Sequence, residues 1–205
     1  MGFWGTIRKS VDEEIQGEEL VVSQPIQTKT AGRLLTTAEI IKHYGQPGDP
    51  TNLQLVITPF PFRLDWNLSQ ETNKITMHKK IVPNFLSVCA GLLKHYGGAK
   101  IKELGIDNFG GCYNFRPQRG LEKKYEAAKK AKNTALAMSY LSRHSWAIAV
   151  DLDPDRNALK TKAPKAQFSK PEYAAMNDIF YANGFIGYGR ERNNDWMHYE
   201  IGVLL

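Results

Sequence analysis

Cysteine is scarce in this chain of 205 residues: Cys89 and Cys112 stand alone, with no CxxC pair. That argues against a cysteine-based zinc site and leaves reduced thiols as the default, a single disulfide being the alternative. Neither cysteine is placed as a nucleophile. No window approaches the roughly 18 uninterrupted apolar residues of a membrane span, so none is expected. The start, MGFWGTIRKSVDEE, lacks the apolar segment and small-residue cleavage site of a secretory signal, which points to cytoplasmic synthesis. Gly2 with Thr6 fits the myristoylation pattern in form, yet so short a pattern matches by chance. Repeats, low-complexity tracts and helix-turn-helix, finger or RNA-binding signatures are all missing, so nucleic acid is not an expected partner. Nothing in the pattern sets an oligomeric state.

What is present suits a globular protein, with 42% apolar and 23% charged residues. The length allows one well-packed domain with or without an appended arm. Residues 1–50 carry scattered charges and short apolar clusters up to the break GQPGDP, and read as an arm or small subdomain before a main domain over 51–205. The net charge of +6 comes from 27 basic against 21 acidic residues, much of the excess lying in RPQRGLEKKYEAAKKAKN at 116–133. Such a surface favours a polyanion, and an anionic cell-wall polymer would be drawn by the same long-range field. A solvated helical face explains the stretch equally well.

The segment LQLVITPFPF at 53–62 begins as a strand, and Pro59 and Pro61, which cannot donate to a ladder, are expected to stop it. Ile81, Phe85, Val88, Leu92 and Leu93 recur at helical spacing, predicting a core helix that Gly97 and Gly98 end. His78 and His95 flank or lie within it, as surface or capping residues. LEKKYEAAKKAKNTALAMSYL is rich in helix formers. SKPEYAAMNDIFYANGF, with Pro171 near its start and Gly184 after its end, predicts a further helix before the final strand.

Two polar islands interrupt core-like segments. Taken as a strand, WAIAVDLD places Trp146, Ile148, Val150 and Leu152 on one face and Ala147, Ala149 and Asp151 on the other. The alanine-lined face leaves room above a carboxylate for a bound ion or ligand. His144 has the opposite parity and converges with Asp151 only from a turn, which Ser142 to Ser145 can supply. In WMHYEIGVLL, Trp196, His198 and Glu200 share one face and Met197, Tyr199, Ile201 and Val203 the other. If the two strands pair, His144, Asp151 and His198 meet as three ligands with a fourth position open, the pattern of a catalytic zinc site. Asp195 sits in the loop before that strand, where a general base would stand. Such residues can equally hydrogen-bond a turn, and on spacing alone the two readings are level.

At these residues the sequence resembles the zinc-dependent D-alanyl-D-alanine carboxypeptidase and L-alanyl-D-glutamate peptidase family, which includes bacterial D,D-peptidases and many bacteriophage endolysins. SRHSWAIAVD matches the family's SxHxxGxAxD in Ser142, His144, Ala149 and Asp151, and DWMHYE matches its (D/E)xxH(F/Y)E in Asp195, His198, Tyr199 and Glu200. GGCYNFRPQRG is similar to the family segment that ends in an arginine, here Arg116 with Arg119 nearby. The resemblance covers about residues 50–205. It implies an α+β fold like that of hedgehog and D,D-peptidase domains, with helices flanking a small central antiparallel sheet that carries Zn2+ on His144, Asp151 and His198. It further implies Asp195 as catalytic base and Arg116 as the group steadying the substrate carbonyl or oxyanion. The departure is Ala147 where the family has glycine, a methyl that crowds the strand or demands a different backbone.

These features imply a hydrolase, a metallopeptidase cutting peptidoglycan stem peptides in cell wall degradation, either a lysis protein or a wall-remodelling enzyme. Trp146 is expected to pack in the core, Trp196 to wall the cleft, and Glu200 to support a ligand or end the cleft. The alternative is a virion-associated structural or binding protein that retains the fold, against which stands the retained base Asp195. The sequence leaves open whether a terminal D-alanine is removed or an internal bond after L-alanine is cut.

Overall fold

A computed structural model describes residues 32–204, and the expected arm up to residue 31 lies outside the described residues. Strict alternation builds the longest strand, β2 (Leu53–Leu64), in which Val56, Thr58, Phe60 and Phe62 are buried while Leu55, Ile57, Pro59 and Pro61 face solvent. The prolines therefore do not stop it. β2 pairs antiparallel with β3 (Asn67–His78), but the register slips between Ile57 and Phe62, so that Thr58–Pro61 lie opposite Asn73 alone. A bulge is where a strand tolerates residues that donate no ladder hydrogen bond. The Thr58 hydroxyl donates there to the carbonyls of Phe60 (2.8 Å) and Asn73 (3.2 Å).

The expected core helix is α2 (Val82–Leu104), burying Phe85, Val88, Cys89 and Leu92. Leu93, expected with them, lies at the surface. Gly97 breaks the helix with φ 71° and ψ 158°, and the chain re-enters helix as far as the left-handed cap at Gly105. His78 is buried and caps the turn before α2, accepting from the Lys80 amide at Nδ1 (3.1 Å) and donating from Nε2 to the Tyr44 carbonyl (2.9 Å). His95 is exposed. The basic stretch forms α3 (Glu122–Lys130) and α4 (Thr134–Ser139), separated at Lys132, whose φ is 56°. The further helix, α6 (Ala174–Ala182), packs on α2 where Gly91 allows Ile179 to come close; a Cβ at Gly91 would lie 2.9 Å from it.

The remaining elements are β1 (Gly32–Leu34), α1 (Thr37–Tyr44), β4 (Asn108–Gly111), β5 (Ala149–Leu152), α5 (Pro154–Asn157), β6 (Phe185–Gly187), α7 (Tyr188–Arg192) and β7 (His198–Leu204). The strands form one seven-stranded sheet in the order β1-β7-β5-β4-β2-β3, with β6 also on β7. All pairings are antiparallel except β2 with β4. The architecture is thus α+β with a mostly antiparallel sheet. The described part of the N-terminal arm is built into it: β1 pairs with β7, and Ile40 of α1 is fully buried. No described helix is long and apolar enough to cross a membrane.

Candidate metal centre

The segment expected as one strand over 146–153 is shorter and begins differently. Arg143–Trp146 forms a 3-10 turn, Ala147 follows with φ 54° in the left-handed region, and only Ala149–Leu152 is strand. The turn is what brings His144 over the sheet. β5 then pairs with β7 in a register that sets Asp151 opposite His198 and Ala149 opposite Glu200. Directly opposed residues point to the same face, so the carboxylate and the imidazole are neighbours, and the small Ala149 leaves room beside Glu200.

His144, Asp151 and His198 converge, all three buried, with one donor atom from each within 4.8 Å of the others. His144 Nε2 lies 3.2 Å from Asp151 Oδ2, and His198 Nδ1 lies 2.8 Å from Asp151 Oδ1. Ligands about 2.0–2.1 Å from a tetrahedral ion stand ~3.3 Å apart, and donors this close together leave room for one ion between them.

The protonation pattern agrees. His144 Nδ1 sits 2.7 Å from the Cys112 carbonyl, which can only accept, so Nδ1 carries the proton and Nε2 presents a lone pair. That Nε2 is buried and makes no hydrogen bond, since it turns a lone pair toward the Asp151 carboxylate, which can only accept. Both ring nitrogens of His198 face carboxylates, Nδ1 at 2.8 Å from Asp151 Oδ1 and Nε2 at 3.1 Å from Glu200 Oε2; an ion bound beside Asp151 would take the place of the Nδ1 proton while Nε2 keeps donating to Glu200. A carboxylate behind a ligating imidazole is the usual orienting arrangement in metal sites. These residues could hold a metal ion. Without one, burial pulls the His198 imidazole down, but Asp151 and Glu200 outweigh it and push the pKa up to about 10. Burial alone would raise Asp151, and the two histidines instead hold it far below the usual carboxylate range.

The site floors a cleft of about 440 Å³ whose walls include Arg116, Arg119, Tyr188, Asp195, Met197 and Leu35. A more open depression of about 480 Å³ lies on the β2/β3 bulge, lined by Pro59 and Lys74 among others, away from any metal-ligating cluster among the described residues. Asp195 occupies a left-handed turn (φ 51°), its carbonyl accepting from the His198 amide (3.1 Å). Its Oδ1 is buried without a hydrogen-bond partner. Burial, with the charge of Asp151, raises its pKa against the opposing pull of His198 and Arg119.

Arg116 is fixed through its backbone, where its amide donates to Ser145 Oγ (3.1 Å) and its carbonyl accepts from the Ser142 amide (3.0 Å). Its guanidinium is half-buried, and burial together with Arg119 lowers its pKa. Both arginines face the cleft.

Trp146 packs in the core as expected, donating to the Gly45 carbonyl (2.9 Å). Trp196 does not wall the cleft: β7 begins only at His198, so the alternation does not extend to Trp196, which lies against Gly189. Met197, expected on the core face, lines the cleft instead. Tyr199 is core, donating to Asn177 Oδ1 (2.9 Å). Glu200 supports His198. Cys89 and Cys112 are free and buried, with thiol pKa values raised by burial.

Three participants escaped sequence reasoning: the Cys112 carbonyl, Tyr188 and Arg143. Tyr188 donates to Glu200 Oε2 (3.0 Å) and sets its ring edge-on to His198 at 4.7 Å. Arg143 lies inside SRHSWAIAVD, one residue from a ligand, and that adjacency was the available signal.

Comparisons of the chain with protein-family models, curated proteins and solved structures return no match.

Proposed function

We propose that the protein is a zinc-dependent peptidase that hydrolyses a peptide bond in peptidoglycan stem peptides, either at a terminal D-alanine or between L-alanine and D-glutamate. The single observation carrying this reading is Asp195 Oδ1, buried and without a partner in the same cleft as three converged ligand atoms. A site that only stored an ion would gain nothing from a further carboxylate buried beside it with one oxygen left without a hydrogen-bond partner, since such burial is costly. A peptidase needs such a group. The zinc assignment rests on the donor set, two imidazoles and one carboxylate brought together, and on the motifs SRHSWAIAVD and DWMHYE.

When bound, zinc supplies a Lewis acid that polarises an amide carbonyl and lowers the pKa of water toward about 7. The remaining steps belong to the chain. Asp195 takes the proton released as water attacks and returns it to the leaving amine, and its raised pKa brings it closer to the operating pH than an exposed aspartate. Arg116, held by Ser142 and Ser145, presents fixed positive charge where the tetrahedral oxyanion develops. The basic surface draws the protein toward an anionic wall, where release during phage lysis or carriage on a virion would place it.

Asp195→Asn should keep about one zinc per chain and lower wall hydrolysis by at least ~10²-fold. Full activity in that variant, or a native protein free of zinc, would sink the reading. Mass spectrometry of muropeptides after digestion identifies the bond from the fragment released.

A further inference from the structure

Arg143 makes three contacts that join parts of the molecule otherwise unconnected at the site. Its Nη2 donates to the Leu35 carbonyl (3.0 Å), its Nη1 donates to the Thr37 hydroxyl (3.3 Å), and its Nε lies 3.6 Å from Glu200 Oε1. Leu35 lies between β1 and α1 and lines the cleft, and Thr37 is the first residue of α1. Glu200 is fully buried; its Oε2 accepts from both His198 and Tyr188, while its Oε1 has no hydrogen-bond partner. Among the described ion pairs, Arg143 is the partner of Glu200 Oε1, while His198 faces Oε2.

We propose that Arg143 is a positioning residue that couples the β1–α1 segment to the metal ligand His198. The proposal rests on the metal reading above. Its logic is a chain of constraints. For His198 to ligate through Nδ1, its ring must be turned with Nε2 toward Glu200, whose Oε2 accepts from it at 3.1 Å. For Glu200 to hold that orientation it must itself be held, and the Arg143 guanidinium stands 3.6 Å from its Oε1, the oxygen without a hydrogen-bond partner. Arg143 meets that need only while its two terminal nitrogens are held by Leu35 and Thr37, because the planar guanidinium fork fixes all three contacts together. Order in residues 35–44 and affinity for the ion thus support each other, and by linkage each must respond to the other.

The test uses the full chain. Zinc affinity is measured by competition with a chromophoric chelator, and hydrogen exchange of the amides in 37–44 is followed with and without zinc. In the wild type zinc should slow exchange in that helix. Arg143→Gln should bind zinc 10–100-fold more weakly, the range seen when groups behind a ligand are removed, and zinc should no longer protect the helix. A purely structural role would loosen the helix equally with and without zinc. If Arg143→Gln fails to fold, Arg143→Lys, which keeps charge but loses the fork, should show several-fold weaker binding and the same loss of zinc-dependent protection. Wild-type zinc affinity, or undiminished zinc-dependent protection, in the folded variant would overturn the coupling. A wild-type chain that binds no zinc would overturn the metal reading itself, so the two failures are distinguishable.

Discussion

At the scale of single residues, Ala147 explains where the sequence was legible and where it was not. The ligands could be read because their chemistry is carried by residue type, and strand parity correctly put Asp151 with Ala149 and His198 with Glu200. The backbone between them could not, since alanine gives no sign of a positive φ, whereas glycine would have marked the turn. Left-handed alanine costs roughly 1–2 kcal/mol. Ala147→Gly relieves that but loses a buried methyl worth ~0.8 kcal/mol, so urea unfolding of the metal-free chain should find a net change within about 1 kcal/mol. Ala147→Val places a branched side chain at φ 54° with no free volume and should destabilise by more than ~2 kcal/mol. Asp195 yields a pH prediction. Its folded pKa is raised, so the folded state holds the proton more tightly than the unfolded one, and stability falls as pH rises through that window. Metal-free Asp195→Asn should therefore melt above the wild type at pH 7, and the gap should close below the ordinary aspartate pKa; equal melting temperatures at pH 7 would contradict the burial argument.

At the scale of elements, punctuation residues gave the position of each irregularity but not its outcome. Pro59 and Pro61 predict the end of a strand and instead mark a bulge within one, because a propensity cannot say which edge of a strand is free of a partner. Gly97 and Gly98 were read as a stop, and only Gly97 acts as one. Its φ of 71° and ψ of 158° fall where side chains are excluded, while Gly98 lies within helix in open space. Gly97→Ala should cost about 1–3 kcal/mol, and Gly98→Ala should be neutral or stabilising by up to ~1 kcal/mol. Denaturant midpoints of the two variants test the contrast, and equal effects would mean the break is not held by Gly97.

At the scale of the whole molecule, the net charge of +6 sets up a field that reaches beyond the site. Raising salt from about 0.1 M to about 1 M shortens the Debye length from ~10 Å to ~3 Å. Sedimentation with purified walls should show binding weakened over that range, while zinc content, set by buried ligands, stays constant. Salt-independent association would assign wall binding to the exposed apolar residues Leu55, Ile57, Trp66 and Leu68 instead. The direct opposition of Asp151 and His198 across β5 and β7 has a further consequence. Slipping one strand by a single residue would send one ligand to the opposite face of the sheet. An ion bound by the native alignment would thus act as a proofreader of strand pairing: it would withhold its binding energy from such a slipped sheet and widen the gap between the folded chain and that competitor.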